Sequence, residues 1–68
     1  MTIETFVAVR KMRGLSQTEY GKALGISRGM VACIETGKRN LTDTTKSKVH
    51  QVFGNEFVEQ VRRLTEGR

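Results

Sequence analysis

Residues 17–36 constrain the fold of this chain more than any other part of it, because their pattern predicts two short helices joined by a three-residue turn. Gly25 stands at the turn, and the small residue Gly21 stands where the two helices would touch. Apolar residues recur at the spacing of a helix face. The predicted buried side of the pair consists of Tyr20, Leu24, Ile26, Val31 and Ile34. We therefore expect two short helices that pack across each other at a large angle.

The rest of the chain predicts three more helices and no β-strand. Small polar residues cap helix starts by accepting hydrogen bonds from free backbone N–H groups, and glycine often ends a helix. The predicted N-caps are Thr2, Ser16, Ser27, Thr42 and Asn55. The predicted stops are Gly14, Gly25, Gly37 and Gly54. We expect one all-α domain over residues 1–68, with five helices at about 2–12, 16–25, 27–36, 42–53 and 55–65.

Apolar stripes on the outer helices predict which side chains enter the core. On the first helix, one face carries Ile3, Phe6, Val7 and Arg10. The fourth helix is expected to point inward with Val49, Val52 and Phe53. The fifth helix carries a stripe of Phe57, Val58, Val61 and Leu64, of which we expect the first and third to complete the core. Two interpretations remain open for Val58 and Leu64: an exposed two-fold dimer interface, or packing against the first and fourth helices.

A chain of 68 residues has room for one domain with one small core. Its single cysteine, Cys33, excludes an internal disulfide. No apolar run approaches the roughly 20 residues of a membrane span, and the N-terminus lacks a signal-peptide pattern, so we expect a cytoplasmic protein. Cys33 and the lone His50 have no metal-ligand partners at a suitable spacing, and no nucleophile–base or carboxylate pair stands out. We expect no metal, no cofactor, no small-molecule ligand and no enzymatic activity.

Positive charge is concentrated in the first two thirds of the chain. The net charge of the whole chain is +5. Residues 10–48 contain nine lysines and arginines against three acidic residues, whereas residues 49–68 contain three of each sign. A positive field over one part of a small domain suits a polyanionic partner, although a basic face can also be only a solvated one.

The sequence around this motif, GLSQTEYGKALGISRGMVACIETGKRN, resembles the Cro and lambda-repressor type of helix-turn-helix, a large family of bacterial and phage regulators. The residues that fit the family pattern are Arg10, Gly14, Leu15, Ser16, Gln17, Leu24, Gly25, Ile26, Ser27, Val31, Ile34, Glu35 and Gly37. Tyr20 and Gly21 depart from it. The family has leucine or phenylalanine at the position of Tyr20 and alanine at the position of Gly21. The resemblance implies a five-helix fold that binds double-stranded DNA.

The resemblance implies that the third helix enters the major groove with its N-terminal residues on base edges. The candidate base contacts are Ser27, Arg28, Gly29, Met30 and Cys33. Arg28 can donate two hydrogen bonds to a guanine; the other interpretations are a phosphate contact or a solvated arginine. Gly29 allows a close approach to the duplex or merely lacks a side chain. Met30 and Cys33 can touch a thymine methyl group, but Met30 can also fill a gap in the core.

Candidate phosphate contacts lie on both sides of this helix in the sequence. They are Ser16, Gln17, Thr36, Lys38, Arg39, Asn40, Thr44, Thr45 and Lys46. The resemblance implies that Gln17 binds a phosphate and braces the first recognition residue; it can also be an ordinary helix residue. The main role expected of Ser16 and Ser27 is to cap their helices. A cap at a helix start also lies near the backbone N–H groups that bind anions, so it can lie near a DNA phosphate.

The resemblance also implies an ion pair between Arg10 and Glu35, which would join the first helix to the end of the third. Removal of one partner from a buried ion pair leaves an uncompensated charge, so we expect a structural role for both residues. The alternative is that Arg10 reaches DNA.

These observations predict a sequence-specific DNA-binding transcriptional regulator. The first expectation is a small Cro-type repressor that binds palindromic operator DNA as a homodimer, weakly associated or assembled on DNA. Two alternatives remain open: an antitoxin or restriction-system controller of the same fold, and a protein-interaction module. The groove-facing side of the third helix has few polar groups, which leaves the last alternative open.

Overall fold

A computed structural model describes residues 1–67 of the chain, and every regular element in them is a helix. The five helices are α1 (Ile3–Met12), α2 (Gln17–Leu24), α3 (Arg28–Glu35), α4 (Asp43–Phe53) and α5 (Asn55–Thr65). The all-α, five-helix prediction is confirmed. None of these helices is long and apolar enough to cross a membrane.

Local capping chemistry explains where four of the helices begin. The side-chain oxygens of Thr2, Ser16, Ser27 and Thr42 each accept a hydrogen bond from the backbone N–H three residues later, as predicted. At α2 the Glu19 carboxylate also accepts from the Ser16 N–H at 2.8 Å, which completes the capping box.

The predicted cap of the fifth helix is wrong. Gly54 occupies the N-cap position with a φ of 89°, and no side chain caps α5. Asn55 is the first residue of the helix, and its Oδ1 lies 3.0 Å from His50 Nδ1 of α4. The positive φ lets the chain turn directly from α4 into α5, so Gly54 both ends α4 and precedes α5, and it has no side chain that could cap the helix.

The core is centred on the ring of Tyr20, which joins α2 to α1. The Tyr20 and Phe6 rings lie 4.9 Å apart between centroids, and the Tyr20 hydroxyl donates to the Phe6 carbonyl at 2.8 Å. Burial raises the pKa of the Tyr20 hydroxyl well above its usual range. The fully buried side chains around this pair include Val9, Val31 and Val49. A tyrosine therefore fills the core and also supplies the hydrogen bond that fixes α1 on α2.

Two predicted inward faces differ from the observed ones. On α1, Thr5 and Val9 are buried together with Phe6, whereas Ile3 is 37% exposed. On α4, Val52 is 48% exposed, although it was expected to point inward. The side of α4 that faces the core carries Thr45, Val49 and Phe53, which are spaced four residues apart. Val52 is one residue before Phe53 and therefore lies on a different side of the helix.

Of the two interpretations of Val58, packing against the other helices is correct and a place in an exposed dimer interface is wrong. Val58 and Val61 are both fully buried in the core, because α5 packs along α1 with the face that carries them. Phe57 is only half-buried, and the Arg13 guanidinium lies 4.4 Å from its ring centroid. Leu64 alone of the stripe is strongly exposed, at 72%.

The two ends of the domain are joined by hydroxyl and carboxylate hydrogen bonds between α1 and α5. The buried Thr5 hydroxyl contacts Thr65 and donates to the Glu66 carboxylate. The Thr2 N–H donates to the same carboxylate at 3.1 Å. The hydrogen bond from Thr5, supported by that from Thr2, lowers the pKa of Glu66.

We predict that this contact makes the domain more sensitive to acid. A carboxyl group whose pKa is lowered by folding stabilises the folded state above its unfolded pKa of about 4.5, and this contribution disappears as the pH falls through the lower folded pKa. The difference in free energy of unfolding between wild type and Glu66→Gln should therefore be largest near pH 6 and shrink towards pH 3. Urea unfolding followed by circular dichroism measures it. Glu56→Gln, at an exposed position of α5, is the control; the same trend in both variants would contradict the prediction.

Candidate nucleic-acid interface

The start of α3 is exposed while its middle is anchored. Gly25 ends α2 with a φ of 74°, and the Ser27 hydroxyl accepts the Met30 N–H at 3.0 Å. Val31 and Ile34 are buried and hold α3 across α2. Apolar contacts on one side of α3 therefore leave the opposite side and the N-terminal turn open to a ligand.

The exposed side of α3 begins with Arg28, the first residue of the helix, and Gly29. Ala32 and Cys33 follow it as half-buried residues. At the end of the helix Thr36 is exposed, and its hydroxyl donates to the Ala32 carbonyl at 3.0 Å. Of these side chains, the Arg28 guanidinium is the only charged group and the only one with several hydrogen-bond donors.

Met30 lies on a different side of α3 from Arg28. It is half-buried and packs against the core. It also lines a shallow cleft of about 260 Å³ between α3, the following loop and α4. The other residues of this cleft are Ile26, Ile34, Arg39, Asn40, Thr42 and Thr45. This placement favours the gap-filling role of Met30 over contact with a thymine.

An ion-pair network joins the first three helices. The Arg10 guanidinium donates from Nε to Glu35 Oε2 at 2.7 Å and from Nη2 to Glu35 Oε1 at 3.2 Å. Its Nη1 donates to the Leu15 carbonyl at 3.0 Å, in the connection between α1 and α2. The two side chains are only 15% and 8% exposed. Each nitrogen of the Arg10 guanidinium thus donates to a protein group, and Arg10 and Glu35 form the ion pair that the resemblance implies.

Gln17, the first residue of α2, is part of the same network. Its Nε2 donates to Glu35 Oε1 at 3.0 Å. The N-terminus of α2 therefore lies beside the C-terminus of α3. This contact fixes the Gln17 amide while the free N–H groups of the first helical turn remain available to an anion.

The loop after α3 exposes a short basic segment. Gly37 reverses the chain with a φ of 82°, and the Lys38 and Arg39 N–H groups donate back to the Cys33 carbonyl at 2.8 and 3.1 Å. Lys38, Arg39 and Asn40 are all exposed. The backbone is thus held by the end of α3 while these three side chains extend into solvent.

The start of α4 offers fewer contacts than the sequence predicts. Thr44 is exposed, but Thr45 is only 8% exposed. Thr45 lies on the side of α4 that faces the core, and its hydroxyl accepts from that of Thr42 at 3.2 Å, so it is not available to DNA. Lys46 is half-buried, and its Nζ lies 3.8 Å from the Asp43 carboxylate.

Lys48 lies close to the motif, which its place in the sequence does not predict. Its Nζ lies 3.5 Å from the point where a Cβ on Gly25 would stand, so the side chain reaches from α4 to the turn between α2 and α3. Only its positive charge was visible in the sequence, because this contact joins residues that are far apart in the chain.

A comparison with models of known protein families agrees with this geometry. A family model described as helix-turn-helix matches residues 8–60, which is more than half of the chain. No curated protein and no solved structure gives a significant match. Residues 1–67 contain no group of three histidine, cysteine, aspartate or glutamate residues placed to hold a metal ion.

Proposed function

The chain belongs to the Cro- and lambda-repressor-like helix-turn-helix family of DNA-binding regulators, and on this basis we propose that it is a small repressor of the Cro type. In this proposal α3 lies in the major groove of operator DNA, and the bound protein blocks transcription by occupying the site. The observation that carries the proposal is the exposed N-terminal turn of α3, with Arg28 at its first position.

Base contacts are assigned to the exposed side of α3. Arg28 is the proposed reader of a guanine, through two hydrogen bonds to O6 and N7. Ser27, Gly29 and Cys33 lie on the same turn or the next and complete the surface that approaches the bases. Because Gly29 and Ala32 carry no polar side chain, few bases are recognised by direct hydrogen bonds. The sequence-dependent shape of the DNA supplies further selectivity.

Phosphate contacts are assigned to two segments that the fold brings together. The hydrogen bond between Gln17 and Glu35 places the start of α2 next to the end of α3, and the basic loop at 38–40 follows directly from that end. The secondary candidates are Ser16, Thr36, Thr44 and Lys46. The hydroxyl groups of Ser16 and Thr36 already form hydrogen bonds within the protein, and the Lys46 Nζ lies near the Asp43 carboxylate. Together these groups would hold the backbone on either side of α3.

The operator is proposed to be palindromic and to be bound by a homodimer. Two-fold symmetry places two recognition helices about 34 Å apart, one turn of DNA. The support within this chain is the exposed Leu64 on α5, since an apolar side chain of this size gains from burial against a second copy. Val58 has no part in this interface.

Selection from a randomised duplex pool tests the proposal. The fraction bound at two salt concentrations is sequenced, and sedimentation with and without the selected duplex gives the stoichiometry. Enrichment of a palindrome with a guanine in each half-site supports a dimeric sequence reader. Binding without enrichment would restrict the function to DNA backbone binding, and absence of binding at low salt would favour the protein-interaction alternative.

We predict that the basic loop determines part of the salt dependence. Each phosphate contact contributes about 0.9 to the slope of log K against log salt concentration. Lys38→Ala combined with Arg39→Ala should therefore reduce this slope by roughly 2 and leave the selected base sequence unchanged. Lys11→Ala, an exposed charge on α1, is the control. Equal slopes in the double variant and wild type would remove this loop from the interface.

A further inference from the structure

The cleft between α3 and α4 lies next to the basic loop and has an apolar lining. Its volume is about 260 Å³, and its most deeply buried lining side chains are Ile34 and Thr45. Ile26 and Met30 are half-buried and extend the apolar lining. A cavity of about 150 Å³ is enough to hold a benzene molecule. This cleft therefore has room for an aromatic ring that carries a short polar group.

The polar groups around the cleft are mostly hydrogen-bond donors that lack an acceptor. The Thr45 hydroxyl accepts a hydrogen bond from that of Thr42 at 3.2 Å, which leaves its own proton free to donate. The side chains of Arg39 and Asn40 are exposed, and within residues 1–67 they form no hydrogen bond or ion pair. A guanidinium has five N–H donors and no acceptor, and an amide adds two donors. A ligand in this cleft therefore gains most if it carries acceptors.

The charge of the cleft is positive. Arg39 is the only charged residue of its lining. Among residues 1–67, the two acidic side chains that are next to lining residues in the chain have other cationic partners. Glu35 is paired with Arg10, and Asp43 with Lys46. A charge beside an apolar surface attracts an opposite charge more strongly than it does in water, so a negatively charged acceptor is favoured.

We propose that this cleft binds a small carboxylic acid with an apolar body, and that the bound acid weakens the grip of the basic loop on DNA. The apolar body packs against Ile26, Met30 and Ile34, and the carboxylate accepts two parallel hydrogen bonds from the Arg39 guanidinium. No small-molecule ligand was expected from the sequence, because the lining residues come together only when α3, the loop and α4 pack.

The effect on DNA binding rests on the proposed function, in which Arg39 contacts a phosphate. A bound carboxylate neutralises the charge that attracts this phosphate. The acid and the DNA therefore oppose each other's binding, and the reciprocity of linked equilibria makes the effect equal in both directions. An acid of this class would act as an inducer that releases the operator.

Titration of isotope-labelled protein with sodium phenylacetate, followed by NMR, tests the site without DNA. The backbone amide signals of Met30, Ile34 and Thr45 should shift, with a dissociation constant of about 1 mM for a ligand of this size. Phenylacetamide has nearly the same shape without the charge. It should bind about tenfold more weakly, because hydrogen bonds to a charged group are roughly twice as strong as neutral ones.

Two variants of the basic loop separate a specific contact from general attraction of anions. Arg39→Ala and Lys38→Ala each remove one exposed positive charge, but only Arg39 lines the cleft. In the titration without DNA, Arg39→Ala should bind phenylacetate about tenfold more weakly than wild type. Lys38→Ala should stay within about twofold. Both changes are at exposed positions, so both proteins should fold.

Three results of the titration would overturn the proposed site. One is the absence of shifts at the cleft amides at a phenylacetate concentration of about 20 mM, well above the expected dissociation constant. Another is equal binding of phenylacetate and phenylacetamide, or equal losses in the two variants. The third is that sodium phosphate shifts the same amides as strongly, because the loop would then bind any anion and the apolar lining would have no role.

Fluorescence anisotropy with the selected duplex tests the effect on DNA binding. Sodium phenylacetate at about 10 mM is compared with sodium acetate at the same concentration, which controls for ionic strength. Phenylacetate should weaken duplex binding by the factor that is lost in Arg39→Ala, up to a limit of about tenfold at this occupancy. The Arg39→Ala protein should not respond, and an unchanged duplex affinity in wild type would overturn the proposed regulation. If wild type binds no duplex, the proposed function fails, while the titration still decides whether the cleft binds the acid.

Discussion

Replacement of Arg10 by methionine is expected to lower the free energy of unfolding by about 3 kcal/mol at neutral pH. Methionine keeps most of the length of the side chain but removes the three hydrogen bonds to Glu35 and to the Leu15 carbonyl. The Glu35 carboxylate then stays mostly buried, with the Gln17 amide as its remaining side-chain partner within residues 1–67. A domain of this size is typically stable by roughly 3–10 kcal/mol, so the variant is expected to be partly unfolded at 37 °C.

Urea unfolding followed by circular dichroism measures this effect, and two variants serve as comparisons. Arg62→Met breaks exposed ion pairs with Glu59 and Glu66 and should lower the free energy of unfolding much less than Arg10→Met does. Arg10→Met combined with Glu35→Met removes both charges and should be more stable than the Arg10→Met variant alone. Equal effects at Arg10 and Arg62 would show that burial of the pair is unimportant.

The same network connects stability to binding. Glu35 holds the Gln17 amide at the start of α2, and Gln17 is a proposed phosphate contact. In a Glu35→Met variant that stays folded, the Gln17 amide would therefore be mobile, whereas in wild type it is held in place before DNA binds. Loss of such preorganisation weakens binding through the entropy of ordering the side chain.

The second large effect is expected at Arg28. Arg28→Ala should weaken binding to the selected duplex by roughly 10- to 100-fold, since a bidentate contact between arginine and guanine contributes about 1–3 kcal/mol of discrimination. The preference for guanine at the position under Arg28 should disappear at the same time. Stability should change little, because the side chain is exposed at the helix start.

Fluorescence anisotropy with the selected duplex and with a duplex changed at that guanine measures both quantities. Lys11→Ala removes one exposed positive charge elsewhere and controls for the general electrostatic effect. If Arg28→Ala weakens binding to both duplexes equally, Arg28 contacts a phosphate and another group reads the bases. The double comparison therefore distinguishes a guanine contact from a phosphate contact, and unchanged binding to both duplexes would indicate a solvated arginine.

The candidate site was partly visible in the sequence because some of its features are local. Ser16 and Ser27 were recognised as caps, and their hydroxyl groups accept the N–H groups three residues later. Exposure of Arg28 follows from the same helix start, since the buried positions of α3 lie on the other side. The sequence does not predict that Thr45 is unavailable to DNA, because the burial of Thr45 depends on which side of α4 faces the other helices.

The sequence by itself determined the five helices, four of their caps and the helix-turn-helix layout, because hydrogen bonds between residues three or four apart and the backbone freedom of glycine are local properties. Only the tertiary structure decided how each helix is rotated about its axis. The turn at Gly54 directs α5 so that Val58 enters the core and Phe57 remains at its edge. Likewise, a Cβ added to Gly21 would lie 2.6 Å from the Ile26 carbonyl oxygen where two backbones cross, and this distance depends on the packing of all five helices.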